Sequence, residues 1–248
     1  MKVVGIIPSR LQSSRLPQKA LIDIDGLPMV VHVLKRAQMS LILDKVCVAT
    51  DSAEIFDAVV KHGGEALMTS NAHKNGTERV AEASKHFNAD IIVNIQGDEP
   101  LLDPSHIDEA VKALQDDRDI NVSIPVTAYS VKNSSSDIKA VLDKDNNILY
   151  CSRTDLPSDA RGKVSTMWKM CFIVPFRKSF LSQYVSWAQT PLERAEYNEY
   201  LRILENGHKI KAVQVRHAEI SVDTPEDLAI VREKMKKDKL KNSYNRLV

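Results

Sequence analysis

Of 248 residues only three are cysteine, eight are glycine and 5% are aromatic, and neither sign of charge is in excess: Lys and Arg number 34 against 33 Asp and Glu, a formal net charge of +1. Each scarcity removes a class of function. Cys47, Cys151 and Cys171 are odd in number and far apart, which fits buried reduced thiols better than a disulfide framework or a catalytic thiol. With so few glycines the chain carries neither G-x-G-x-x-G nor a Walker A loop, so an NAD-linked oxidoreductase is disfavoured. A balanced charge supplies no general attraction for nucleic acid. The seven histidines lack H-E-x-x-H or other zinc spacing. No apolar run is long enough to span a bilayer, and the opening run, residues 3–7, stops at Pro8, too short for a signal-peptide core. A soluble protein in the cytoplasm, without nucleic-acid or membrane partners, is the expectation.

What is present is an alternation. Residues 3–7, 45–49 and 90–95 are short β-branched runs that read as strands buried on both faces. Between them Val30, Val33, Leu34 and Ala37 follow helical spacing with Pro28 at the first turn, and Asp51 with Glu54 has capping-box spacing ahead of Ile55. Gly63-Gly64 supplies a stop. Such β-α-β units predict an α/β fold with a mostly parallel sheet. From about Ile120 the rhythm changes. Residues 139–142 and 148–152 flank Asp145-Asn146-Asn147 as a hairpin, and 168–176 reads as one long strand, so an antiparallel insertion is expected at about 120–190 within a single domain. Helical spacing over 192–204 ends at Asn206-Gly207, and a strand follows at 210–215. The last helix, about 224–238, opens at Thr224-Pro225, and the Lys-rich tail beyond Met235 reads as a solvated, frayed end.

Three segments hold the candidate chemistry. Pro8 through Lys19 follows the first strand, where an open parallel sheet binds its ligands; Arg10, Arg15, Lys19, Ser9 and Ser14 suit a polyphosphate there, although a solvated basic loop fits equally well. Gln96-Gly97-Asp98-Glu99-Pro100 follows a buried strand, so Asp98 is either a Mg2+ ligand or part of a polar strand-end turn. Asp223 precedes a helix cap, where an acidic residue is favoured by the helix terminus alone. Asn75-Gly76-Thr77-Glu78-Arg79 opens a helix from which Arg79 can reach a ribose or phosphate, or simply lie on the surface. Arg153 ends a strand and suits a carboxylate, and Glu199 with Arg202 reads as an exposed helical pair.

Taken in order, Ile7-Pro8-Ser9-Arg10, Ser14-Arg15-Leu16-Pro17, Lys19, Gly76-Thr77-Glu78-Arg79, residues 93–100, Pro191-Leu192-Glu193 and residues 222–228 resemble the 3-deoxy-manno-octulosonate (Kdo) cytidylyltransferases, over nearly the whole chain. The resemblance implies a Rossmann-like core of the nucleotide-diphospho-sugar transferase type, a homodimer built through the antiparallel insertion, and a role in lipopolysaccharide biosynthesis. It implies CTP and an acidic sugar as substrates and Mg2+ as cofactor. Carried over by position, Pro8, Ser9, Arg10, Ser14, Arg15 and Lys19 bind the nucleotide, and Gly76, Arg79 and Gln96 frame the nucleoside and the neighbouring sugar. Asp98 and Asp223 hold the metal, Arg15 and Lys19 join them in catalysis, and Arg153 and Glu199 face the acceptor.

The chain departs from that pattern in three places. Tyr200 stands where the family usually has a sugar-binding Gln. Met170, Phe172 and Val174 stand where His-x-Gly-x-Tyr is usual, and Gln18 replaces the usual Gly of the phosphate loop. Polar groups on the sugar side give way to larger or apolar ones while the metal and triphosphate positions persist. CTP use is therefore the firmer expectation, with an amino-modified Kdo, another 2-keto sugar acid, a different acidic acceptor, another base such as UTP, or a catalytically silent relative as alternatives.

Overall fold

The structure is a computed structural model that describes residues 1–12, 16–158, 160–162 and 166–244. The chain divides into two compact units, Met1–Asp108 with Glu219–Val248, and Glu109–Ala218. The first unit opens with β1 (Val3–Ser9), a 3-10 turn at Lys19–Leu21, and a two-stranded ribbon of β2 (Asp23–Ile24) and β3 (Leu27–Pro28). Then come α1 (Met29–Ala37), β4 (Lys45–Thr50), α2 (Ala53–Lys61), β5 (Glu65–Met68), α3 (Gly76–Ser84) and β6 (Ile91–Ile95), followed by α4 (Pro104–Asp116), within which the division between the units falls. Within this unit β6, β1, β4 and β5 are neighbours in that order and every pairing is parallel. The β-branched runs β1 and β6 are buried along almost their whole length, as two covered faces require.

One local reading is corrected and another holds. The cap of α2 is Ser52, whose Oγ accepts from the Ile55 amide at 3.3 Å, and not Asp51, which lies one residue too early and turns its carboxylate to Arg79. The cap of α3 is Asn75, its side chain accepting from the Glu78 amide at 2.9 Å. Each such cap contributes about 1 kcal/mol.

In the second unit β7 (Ser123–Tyr129), β8 (Lys139–Leu142), β9 (Ile148–Ser152) and β10 (Met167–Met170) are joined antiparallel as β7-β10-β8-β9. The residues expected as one long strand form β10 and a separate β11 (Ile173–Arg177), because the ladder ends at Cys171: its amide still donates in register to the Pro125 carbonyl of β7, but its own carbonyl accepts from the Ile173 amide two residues on. The expected helix 192–204 is likewise two pieces. After α5 (Lys178–Tyr184), α6 (Pro191–Glu196) ends at Tyr197 in the left-handed region (φ 50°), and α7 (Leu201–Glu205) restarts beyond it. The strand β12 (Lys211–Gln214) pairs parallel to β7.

The chain returns to the first unit with α8 (Pro225–Lys236) and α9 (Lys241–Tyr244). Thr224 caps α8 with Pro225 in its first turn, as the sequence predicts. As far as Tyr244, the last described residue, the tail is not frayed as expected. Tyr244 is buried and its hydroxyl lies 2.8 Å from His32 Nδ1, Asp238 pairs with Arg36 at 2.5 Å, and Lys241 pairs with Asp25. Burial, the largest influence, lowers the His32 pKa; a neutral ring with its Nε2 proton on the Ile24 carbonyl leaves Nδ1 to accept from Tyr244. One tyrosine with both an apolar bed and a hydrogen-bond partner outweighs the surrounding lysines.

Candidate functional site

The site grows from the carboxyl end of β1. Pro8 and Ser9 end that strand, and two glycines let other elements close on it. A Cβ at Gly97 would stand 3.2 Å from the Pro8 carbonyl oxygen, and one at Gly76 would stand 3.2 Å from the Pro8 ring. The first approach is main chain against main chain, which no flexible side chain can relieve. These contacts bring the start of α3 and the loop after β6 beside the loop after β1.

The same loop positions Lys19. Gln18 has φ 52° and ψ 33°, left-handed geometry that explains why a glycine suits this position, and the 3-10 turn begins at the next residue. Lys19 Nζ donates to Asp98 Oδ2 at 2.7 Å and to Asp223 Oδ1 at 2.9 Å. What draws the two aspartates together is main chain: the Val222 amide donates to the Asp98 carbonyl at 2.9 Å, and beside it Ser221 Oγ donates to Glu99 at 2.9 Å. Behind them Leu16, Ile24, Met29, Val222, Leu228, Val231 and Met235 form one apolar cluster, so the acidic end of α8 is held by a core. Burial acts to lower the Lys19 pKa and is the largest single influence, but the charges and hydrogen bonds of Asp98 and Asp223 together outweigh it and the net is upward.

Around this ion triad lies an open cavity of about 270 Å³ whose lining comes wholly from the first unit. Of the residues expected at a nucleotide or metal, Pro8, Ser9, Arg10, Lys19, Gly76, Arg79, Gln96, Asp98 and Asp223 all line it. Arg10 is exposed, whereas Arg79 is buried and donates to Thr69 at 2.6 Å and to Asp51 at 3.0 Å. Ser14 and Arg15 lie outside the described residues. The lining also includes Gln12, Ala20, Met29, His73, Asn75 and Gly97, of which Gln12, Ala20, Met29 and His73 were not singled out from the sequence. His73 has a signal only in retrospect: it stands two residues before a helix cap, and its Nε2 meets the carboxylate of Glu82 on that helix.

Arg153, Glu199 and Tyr200 belong to the second unit. Arg153 donates Nε to the Glu196 carbonyl at 3.3 Å and Nη1 to the carbonyls of Ser135 and Ser136 at 3.1 and 2.8 Å. Glu199 accepts from the Tyr184 hydroxyl through its carbonyl at 3.0 Å and its carboxylate at 3.4 Å. Arg202, expected on the surface beside Glu199, is instead buried on Glu193 at 2.8 and 2.5 Å, over the Tyr184 ring. Tyr200 is buried and stacks on Phe172, centroids 5.9 Å apart and planes at 15°. Two positions that depart from the family pattern therefore touch each other.

Chemically, a cavity with two carboxylates on one ammonium, the exposed guanidinium of Arg10 and close-packed main chain suits a polyanion carried with a cation. The cytidylyltransferase family model matches residues 4–210. The 3-deoxy-manno-octulosonate cytidylyltransferase of Geotalea uraniireducens is 41% identical over 96% of this chain and all of its own length. That of Fusobacterium nucleatum is 38% identical over 97% of this chain and all of its own. Among solved structures, CMP:2-keto-3-deoxy-manno-octonic acid synthetase complexed with CTP superposes with a TM-score of 0.92 at 35% identity, covering 96% of this chain and 99% of that one. A cytidylyltransferase from Leptospira borgpetersenii, at 20% identity and TM-score 0.61, shares the fold. The chain belongs to the cytidylyltransferases, and within them to the 3-deoxy-manno-octulosonate cytidylyltransferase family.

Proposed function

We propose that this protein transfers a cytidylyl group from CTP to 3-deoxy-manno-octulosonate, or to a closely related acidic sugar, releasing pyrophosphate. The observation that carries the reading is the meeting of Lys19, Asp98 and Asp223 in one cavity at the end of β1, in a chain whose relatives over their full length carry that activity in their names.

In this reading the anomeric hydroxyl of the sugar attacks the α-phosphorus of CTP in line, the phosphorus–oxygen bond to pyrophosphate breaks, and the hydroxyl proton leaves to solvent. Arg10 and Lys19 neutralise the phosphate oxygens on which charge accumulates. Gly76 and Gln96 frame the nucleoside, and Arg79, locked on Asp51 and Thr69, stiffens that wall. The donor set fits Mg2+: hard carboxylate oxygens, two of them already gathered on a single cation, with room for phosphate and water as further ligands. Asp98 and Asp223 would hold it, and when bound it supplies Lewis-acid stabilisation of the phosphoryl oxygens. Ser14 and Arg15 complete the phosphate loop by position. Arg153, Glu199 and Tyr200 are assigned to the acceptor side.

We further propose a cytoplasmic homodimer formed through the second unit. Its sheet ends at β9, where Leu149 is 60% exposed, and Glu196 ties α6 to that strand beside Tyr197, which is 86% exposed. An apolar edge strand is a surface that a second copy can cover. Light scattering should give twice the chain mass, and Leu149→Glu should lower it; a monomeric wild type ends that proposal.

The test of the reaction is pyrophosphate release with each nucleoside triphosphate against a panel of acidic sugars, with and without Mg2+. CTP with 3-deoxy-manno-octulosonate or a near relative should give metal-dependent turnover. No release from CTP with any acceptor sinks the reading.

A further inference from the structure

We infer that Lys19 is a resident counter-ion of the metal site: in the nucleotide-free protein its ammonium occupies the place between Asp98 and Asp223 and keeps a divalent ion out, and an incoming triphosphate draws it away. The inference rests on the cytidylyltransferase reading above and adds an order of events to it.

The geometry carries it. Lysine is a compact point charge with three donors on a flexible stem, and two of those donors are directed at Asp98 Oδ2 and Asp223 Oδ1. A divalent ion using the same oxygens would face a like charge a few ångströms away, on a side chain that is only 14% exposed. The ammonium and the ion therefore compete for one place. Of the other basic side chains on the wall, Arg79 is held by Asp51 and Thr69, His73 meets Glu82, and Arg10 is exposed. The polyphosphate supplies what the resting state lacks, a second set of anionic oxygens for Lys19, and on its transfer both aspartates become available. Metal and nucleotide then favour each other, and by linkage each raises the other's affinity by the same factor.

The experiment titrates nucleotide-free protein with Mn2+ at one fixed pH, free metal being read by electron paramagnetic resonance. Wild type should bind weakly, and Lys19→Met should gain on the order of tenfold, within the usual range for coupled sites. Lys19→Gln, which keeps a polar group, should gain as well and serves if the methionine variant does not fold. Adding Asp98→Asn to either should abolish the gain. Affinities equal across wild type and the folded variants overturn the inference, as does tight Mn2+ binding by nucleotide-free wild type. Wild-type turnover of CTP with Mg2+ is measured separately. Turnover without the gain removes only the counter-ion role, whereas absent turnover removes the reading beneath it.

Discussion

Two lysines, one in each unit, are drawn inward and end in opposite electrostatic states. Lys139, in the second unit, has a fully buried side chain and donates to the carbonyls of Ser134 at 2.6 Å and Asp137 at 3.0 Å and to that of Arg153, with the Asp155 carboxylate only at 3.8 Å. Its pKa is lowered, burial being the largest cause. Lys19, in the first unit, sits on two carboxylates that are each 29% exposed, and its pKa is raised. Carbonyl dipoles satisfy an ammonium's protons without repaying its lost hydration, while two full negative charges do repay it. The contrast separates structure from function. Around Lys139 the charge is saturated by neighbours and fixes the loops around β8 and β9; around Lys19 the charges are gathered where solvent and a ligand can still reach them.

The comparison can be broken at several points. The largest effect is expected at the saturated pair Arg202–Glu193, each nearly fully buried. Arg202→Leu strands a buried carboxylate and should destabilise the second unit by about 3–5 kcal/mol. Both tryptophans, Trp168 and Trp187, lie in that unit, so their fluorescence in a urea titration reports it selectively. At the exchangeable cluster, Asp98→Asn and Asp223→Asn should each lower turnover about a hundredfold or more while changing CTP affinity far less. Unchanged turnover in both would place the aspartates with the saturated charges.

Lys139→Met tests the structural lysine: three carbonyls lose their donor, and the expected loss is about 1–3 kcal/mol by the same fluorescence titration. Next is the stacked pair Phe172 and Tyr200, which stand where the family pattern has Gly and Gln. A double-mutant cycle of Phe172→Ala and Tyr200→Ala should give a coupling of about 0.5–1.5 kcal/mol; simple additivity would mean that the stacked rings do not stabilise each other. Smallest is Gln18→Gly, which relieves a left-handed residue beside Lys19 but loosens the unfolded chain, for a net gain below about 1 kcal/mol. Because the first unit has no tryptophan, far-ultraviolet circular dichroism is the readout, and a loss of stability would show that the Gln18 side chain contributes more than its backbone strain costs.

Much of this was legible in the chain and some was not, for identifiable reasons. The parallel strands and the cap at Thr224 follow from short-range patterns, and the structure contains them. Residues 168–176 and 192–204 misled because periodicity reports which side chains are apolar and is blind to where the main chain turns: at Cys171 the carbonyl accepts from Ile173, two residues on, and at Tyr197 the backbone goes left-handed. Arg202 was read with its neighbour in sequence, whereas burial selected Glu193. His73 gave no advance signal, since nothing local ties it to a cavity.

The sequence by itself determined the alternation of elements, the loop rich in basic residues after the first strand, and the two acidic segments, because local sterics, capping and hydrophobic period act within a few residues. Only tertiary structure decided that Asp98 and Asp223 meet on Lys19. That meeting depends on the Val222 amide reaching the Asp98 carbonyl and on a core that seats α8 behind it, contacts between segments far apart in the chain. Long-range main-chain pairing leaves no periodic trace in the residues it joins, so the carboxylates could be named in advance but not brought together.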